Sequence, residues 1–181
     1  HHATDRLRSV LEIGCGPGYH ARALAAQGFD VKALDISEQM IDLGREYAKA
    51  EGVAVQWRVE DMRDFVLDAP VDLAFCFFDG IDALLTDHDF EQHFASVSAS
   101  LSPGGLYVVD CTHPRDCSLR DYGSYRYVGR RNGISVEILW GTNDPRIDPV
   151  TGMAEVATRL VVEDNGESIM IDDMARERCL T

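Results

Sequence analysis

The chain has 181 residues, 45% of them hydrophobic, and carries a net charge of −14. That length supports one α/β domain with one elaboration and a sizeable core. So acidic a composition argues against a nucleic-acid partner, which needs clustered Lys and Arg, and no apolar run reaches the length of a membrane span.

Taken in chain order, the first predicted element is a short apolar strand, Ser9 to Ile13, of the kind buried in a parallel sheet. It runs into Gly14-Cys15-Gly16-Pro17-Gly18. Glycines at alternate positions allow a sharp turn and leave no Cβ between the backbone and a ligand. A helix follows with Ala21, Leu24 and Ala25 on one face, and Gly28 ends it. Strand 31–35 then closes on Asp35, about 20 residues after Gly14, where a nucleotide-binding βαβ unit places a carboxylate for ribose hydroxyls. Together these features predict a ligand that contains adenosine. The dinucleotide pattern Gly-x-Gly-x-x-Gly would need glycine where Tyr19 stands, which counts against the alternative reading, a nicotinamide-dependent oxidoreductase with the same start.

The next helix is predicted from Ser37 as N-cap, with Met40, Ile41, Gly44, Tyr47 and Ala48 on one face and Glu51-Gly52 as its stop. A strand over 53–59 leads into Glu60-Asp61-Met62. A continuously apolar strand over 71–78 brings Phe77, Phe78 and Asp79 to its C-terminal edge. Phe90, Phe94, Val97 and Leu101 form the apolar stripe of a further helix. His88 and His93 on that helix are read as solvated polar residues, since their spacing does not suit a shared metal. Leu101-Ser102-Pro103-Gly104-Gly105 is a turn before a strand over 106–110. Strands alternating with helices predict a doubly wound, Rossmann-like, mostly parallel sheet that binds ligands at its C-terminal edge.

From Arg120 the period changes to two. Tyr125 and Tyr127 alternate with Ser124, Arg126 and Val128, Asn132-Gly133 is a hairpin turn, and Ile134, Val136, Ile138 and Trp140 form the returning strand. After a loop over 143–152, alternating runs at 154–162 and 168–178 flank Asp164-Asn165-Gly166-Glu167. The expected architecture is an α/β core over residues 1–115 and an antiparallel β-meander over 116–181. The second segment is read as a lid or flank for the site, or as a homodimer contact.

Several of these residues carry a resemblance. On Glu12, Gly14, Gly16, Gly18, Asp35, Asp61-Met62 and the turn from Leu101 to Gly105, the chain resembles the class I S-adenosylmethionine-dependent methyltransferases over about residues 9–115. The resemblance implies that Glu12, Gly14, Cys15, Gly16 and Gly18 lie beside the methionine part of the cofactor. It implies that Asp35 holds the ribose, that Ile36 and Met40 wall the adenine, and that Asp61 and Met62 meet the adenine amino group and ring. Phe77, with Tyr19 and Phe78, is placed to face the sulfonium. A competing local role for Asp61 is the N-cap of a short helix.

The activity so implied is methyl transfer to a small-molecule N, O or C nucleophile, with a non-catalytic cofactor-binding relative as a further alternative. His113 is the first candidate for a general base because an imidazole titrates near neutrality, and Asp79 and His20 come next. Asp110 is expected to be buried at its strand end. The family core normally continues to a sixth and an antiparallel seventh strand and starts with an N-terminal helix, so the chain reads as lacking its last strands and an N-terminal segment. Five cysteines without Cys-x-x-Cys spacing predict reduced thiols in the cytoplasm and no metal site.

Overall fold

The computed structural model describes residues 7–111 and 124–179. These fall into two compact units, residues 7–81 with 86–110, and residues 82–85 with 111 and 124–179.

The first unit contains β1 (Ser9–Ile13), α1 (Tyr19–Ala25), β2 (Asp30–Asp35), α2 (Glu38–Glu51), β3 (Gln56–Val59), β4 (Val71–Cys76), α3 (Asp87–Ser100) and β5 (Leu101–Val109). Its strands form one parallel sheet in the order β3-β2-β1-β4-β5, as the alternating pattern predicts. The chain winds outward from β1 to β3 and returns to the other side of β1 as β4. A crevice therefore opens beyond the C-terminal ends of β1 and β4, the usual ligand position in such sheets. The central strands β2, β1 and β4 are buried on both faces over most of their length, whereas the outer strands β3 and β5 keep exposed positions. Leu11, Ile13, Leu34, Val71 and Ala74 pack with Phe65 and Val97 in one cluster, and Ala21, Val31, Ala33 and Ile41 in another.

Several boundaries differ from the sequence reading, each for a local reason. β3 starts at Gln56 because Gly52 ends α2 in a left-handed turn and the Val53 N–H is already bonded to the Ala48 carbonyl. β4 stops at Cys76 because Phe78 and Asp79 take φ of 58° and 54°, which no extended ladder accommodates. The Pro103-Gly104-Gly105 turn lies inside β5: Val71 pairs with Leu101 and Leu73 with Leu106, so the intervening residues loop out. A Cβ on Gly105 would stand 2.9 Å from the Ser102 carbonyl oxygen and 3.2 Å from those of Val71 and Asp72. Along α2 the buried residues are Ile41, Gly44 and Ala48, while Met40 and Tyr47 point outward.

The apolar stripe predicted for α3 is also rotated. Its buried residues are His93, Val97 and Ser100, and Phe94 is half exposed. His93 is not a solvated residue. It is fully buried because both ring nitrogens find partners, the Met62 carbonyl at 2.9 Å and the Tyr107 hydroxyl at 2.7 Å. A backbone carbonyl can only accept, so the ring proton sits on Nδ1 and Nε2 accepts from Tyr107.

The second unit is an antiparallel meander of β6 (Tyr125–Arg131), β7 (Ile134–Trp140), β8 (Met153–Asp164) and β9 (Glu167–Arg178) in sequential order. Its two tight turns are Asn132-Gly133 and Asn165-Gly166, all four residues at positive φ, as primed hairpin turns require. Cross-strand register puts Tyr125, Tyr127, Val136, Ile138, Trp140, Leu160, Val162, Ile169 and Ile171 on one face. The other face carries the ion pairs Arg126–Glu137, Arg159–Asp172 and Arg176–Glu155.

Trp57 on β3 gives the first unit a sensitive contact. Its ring fills the space where a Cβ on Gly18 or Gly44 would lie, at 2.3 Å and 2.7 Å. Alanine for glycine inside a helix ordinarily stabilises by about 1 kcal/mol. Here the sign reverses: Gly44→Ala is expected to destabilise by about 1–3 kcal/mol, the usual cost of overpacking. Urea denaturation followed by tryptophan fluorescence measures it, and an unchanged or raised midpoint contradicts the packing described.

Candidate active site

The centre of the site is the turn from β1 to α1. Gly14, Gly16 and Gly18 all take positive φ, at 64°, 51° and 66°. Nothing lies within 4 Å of the position a Cβ would occupy on Gly16, so the backbone there is open to a ligand. Two carboxylates hold the turn. From β2, Asp35 accepts the Gly16 N–H at 2.7 Å through Oδ2 and the Ser37 N–H at 2.9 Å through Oδ1. From β1, Glu12 accepts the Ala21 N–H at 2.8 Å and faces His20 Nδ1 at 2.9 Å. Burial pushes the Glu12 carboxyl above its ordinary range, and the bonds from His20 and Ala21 pull against that. Cys15 is buried beside these two carboxylates, and burial raises its thiol well above the ordinary value.

The end of β3 lies next to the end of β2. Asp35 pairs with Val59 in the ladder, and the Glu60 N–H is bonded to the Asp35 carbonyl. This brings Asp61 and Met62 to the same edge as Asp35. The Met62 methyl lies 3.7 Å from where a Cβ on Gly14 would be. Asp61 does not cap a helix. It accepts the Arg63 N–H at 2.9 Å across a short turn and pairs with the Arg63 guanidinium at 2.6 Å, which also reaches Asp89 at 3.1 Å. The bond from Arg63 holds the Asp61 carboxyl below the usual range. Ile36 is 70% exposed and Met40 partly so, leaving apolar surface beside Asp35. This edge combines an open glycine backbone, a carboxylate and apolar walls, and it fits an adenosine-containing cofactor.

Across the crevice, Phe77 and Phe78 follow β4. Phe77 lies 4.8 Å from Phe75 and 5.7 Å from His20, centroid to centroid. Asp79 donates its N–H to Asp110 Oδ1 at 3.4 Å, and Asp110 is exposed rather than buried. His113 lies outside the described residues. Arg63, Trp57 and the His93–Tyr107 pair escaped the sequence reading; the one available signal was helical spacing, which puts His93 on a face with Val97 and Ser100.

The doubly wound sheet and glycine turn define an adenosine-binding α/β protein. Residues 10–105 match the family model described as a methyltransferase domain. The chain belongs to that family, the class I S-adenosylmethionine-dependent methyltransferases. It is 35% identical over 103 residues to a ubiquinone biosynthesis O-methyltransferase of Xylella fastidiosa, covering 55% of this chain and 40% of that protein. The chain spans about two fifths of the length of the curated relatives it matches. Among solved structures, it is similar to an S-adenosylmethionine-dependent methyltransferase of Clostridium acetobutylicum, with a TM-score of 0.80 at 18% identity over 96% of this chain and 68% of that one. A structure of an amino pentose methyltransferase of Micromonospora echinaspora gives a TM-score of 0.77 at 24% identity, covering 99% of this chain and 72% of the other. The fold likeness thus takes in the antiparallel sheet as well as the parallel one.

Burial lowers the His93 pKa, so the folded protein binds fewer protons at this group than the unfolded chain, whose imidazole titrates near 6.5. The stability it contributes is complete above that value and is lost as pH falls through it. Glu12, raised by burial, acts in the opposite direction, so the useful comparison is between variants. Between pH 7.5 and 5.5 the native chain should lose on the order of 1 kcal/mol relative to His93→Gln, read from urea midpoints at each pH. Parallel pH profiles would contradict a buried neutral His93.

Proposed function

We propose that this protein transfers a methyl group from S-adenosylmethionine to an N, O or C nucleophile of a small molecule. The observation that carries the reading is the edge formed by the glycine turn and Asp35, with Ile36 and Met40 exposed beside it. Gly14, Cys15, Gly16 and Gly18 present backbone to the methionine part of the cofactor. Asp35, each oxygen of which retains a free lone pair while holding Gly16 and Ser37, takes the ribose hydroxyls. Ile36, Met40 and Met62 wall the adenine, Asp61 meets its amino group, and Phe77 flanks the sulfonium. Glu12 sets the cradle by tying β1 to the start of α1.

When bound, the cofactor supplies a methyl group already activated on a sulfonium, so the protein mainly aligns the acceptor and excludes water. Asp79 and His113 are proposed to contact the acceptor or move its proton. One named relative is an O-methyltransferase and another an amino pentose methyltransferase, which supports a small-molecule acceptor. The reduced cysteines and acidic surface favour a cytoplasmic protein without a nucleic-acid partner.

Isothermal titration should show S-adenosylhomocysteine binding and no comparable binding of NAD; binding of NAD alone would sink the reading. Asp35→Asn is expected to weaken S-adenosylhomocysteine binding about 10- to 100-fold, the scale of hydrogen bonds to a charged group.

The antiparallel unit is proposed to form a homodimer through the face carrying Tyr125, Tyr127, Ile169 and Ile171, each at least half exposed. Sedimentation velocity should show a two-chain species that Ile169→Glu with Ile171→Glu dissociates. A monomer at every concentration contradicts the dimer and leaves the cofactor reading untouched.

A further inference from the structure

One pair of groups at the crevice has chemistry that cofactor binding leaves unused. His20 lies in the first turn of α1, and its Nδ1–H donates to Glu12 Oε1 at 2.9 Å while Glu12 Oε2 accepts the Ala21 N–H at 2.8 Å. Glu12 is only 5% exposed, so this carboxylate is committed to the pair and the helix start. A carboxylate on Nδ1 assigns the neutral ring's proton there and leaves the Nε2 lone pair as the acceptor. Among the described residues Nε2 has no hydrogen-bond partner, and the His20 side chain is 32% exposed.

Around the imidazole stand four rings. Phe78 stacks on it at 22° with centroids 5.7 Å apart, and Tyr19, Phe75 and Phe77 meet it edge-on at 5.7–6.1 Å. Three of them come from the end of β4, the neighbour of β1 across the point where strand order reverses. From β1 the facing titratable group is Glu12, on which Arg22 of α1 also acts. From its own helix there is Tyr19, and from β4 only phenyl rings. A base needs a reachable nitrogen, a fixed tautomer, a carboxylate to stabilise the cation and surroundings that limit water. The nitrogen and its tautomer come from α1, the carboxylate from β1, and the rings that crowd the imidazole mainly from the end of β4.

We infer that His20, oriented by Glu12, is the base that takes the proton from a methyl acceptor carrying an N–H or O–H group. This rests on the methyltransferase reading. As the acceptor's lone pair forms the bond to the methyl carbon, the carbon–sulfur bond breaks and its electron pair stays on sulfur. The electrons of the N–H or O–H bond remain on the acceptor atom, the proton passes to Nε2, and Glu12 stabilises the resulting imidazolium until water removes the proton.

The test uses the full chain labelled with ¹⁵N, the His20 resonances being assigned by comparison with His20→Gln. The imidazole is titrated alone, with S-adenosylmethionine and with S-adenosylhomocysteine, which differ by one positive charge at sulfur. If Nε2 faces the reacting centre, that charge opposes protonation, and the midpoint should lie at least about half a pH unit lower with the sulfonium than with the thioether. The free chain should show the Nδ1–H tautomer. Equal midpoints with both ligands bound overturn the inference and leave the cofactor reading standing. Failure of both ligands to bind overturns the two together. His20→Gln should keep S-adenosylhomocysteine affinity within about threefold, since a base makes no strong ground-state contact with the thioether product. A loss beyond tenfold would make His20 a cofactor ligand and end its assignment as the base. Glu12→Gln disturbs the helix start as well as the pair, so the titration of the unmodified chain is the deciding measurement.

Discussion

A carboxylate buried at the end of the central strand is the constraint on which the rest of the site depends. β1 is paired on both sides, with Glu12 opposite Ala33 of β2 and Phe75 of β4, so its position cannot slip without moving the whole sheet. Burying an ionisable carboxyl there is costly unless its oxygens are satisfied. The Ala21 N–H and the His20 ring satisfy them, and both belong to α1. The desolvation of one side chain therefore fixes where α1 begins and in which direction the glycine turn leaves the sheet. The left-handed conformations of Gly14, Gly16 and Gly18 follow from that geometry, because a chain leaving β1 must reverse within five residues to bring Ala21 back over Glu12.

Asp35 does for the outer side of the turn what Glu12 does for the inner side. Its two oxygens take one backbone N–H from the turn and one from the start of α2, so the ends of β1 and β2 share a single carboxylate. The two anions also decide the chemistry of the residue between them. Cys15 is desolvated and stands near both, which disfavours its thiolate and makes it a packing residue rather than a nucleophile. At the neighbouring β3 edge, the Arg63 guanidinium pairs with both Asp61 and Asp89, so the third acid of this edge is held by an ion pair in addition to the Arg63 backbone N–H.

The parallel sheet was legible because its signals are local: apolar runs, helical periods, and a glycine turn followed at the right distance by Asp35. The meander was legible for the same reason, its Asn-Gly turns being demanded by positive φ at both positions. What could not be read depends on partners distant in sequence. His93 looks polar in a helical pattern, and only the Met62 carbonyl and Tyr107 hydroxyl, met on folding, allow it into the core where Phe94 was expected. Likewise, Trp57 explains why Gly18 and Gly44 must be glycine, but neither spacing nor composition links those three residues. Glu12 was readable as a motif residue, whereas its engagement of His20 is a matter of side-chain direction.

The two sides of the crevice differ in how their geometry is maintained. On the β2 side, Asp35 binds backbone donors in unstrained conformations. On the β4 side, Phe78 and Asp79 both adopt left-handed backbone, which costs a non-glycine residue about 1–3 kcal/mol and persists only where surrounding contacts over-determine it. Those contacts are the Asp110 carboxylate on the Asp79 N–H and the imidazole of His20 against the Phe78 ring. Phe78 is nevertheless 82% exposed, so the strain is not repaid by burying its ring. The β2 side is thus held by backbone donors in unstrained conformations, and the β4 side by contacts that offset left-handed backbone.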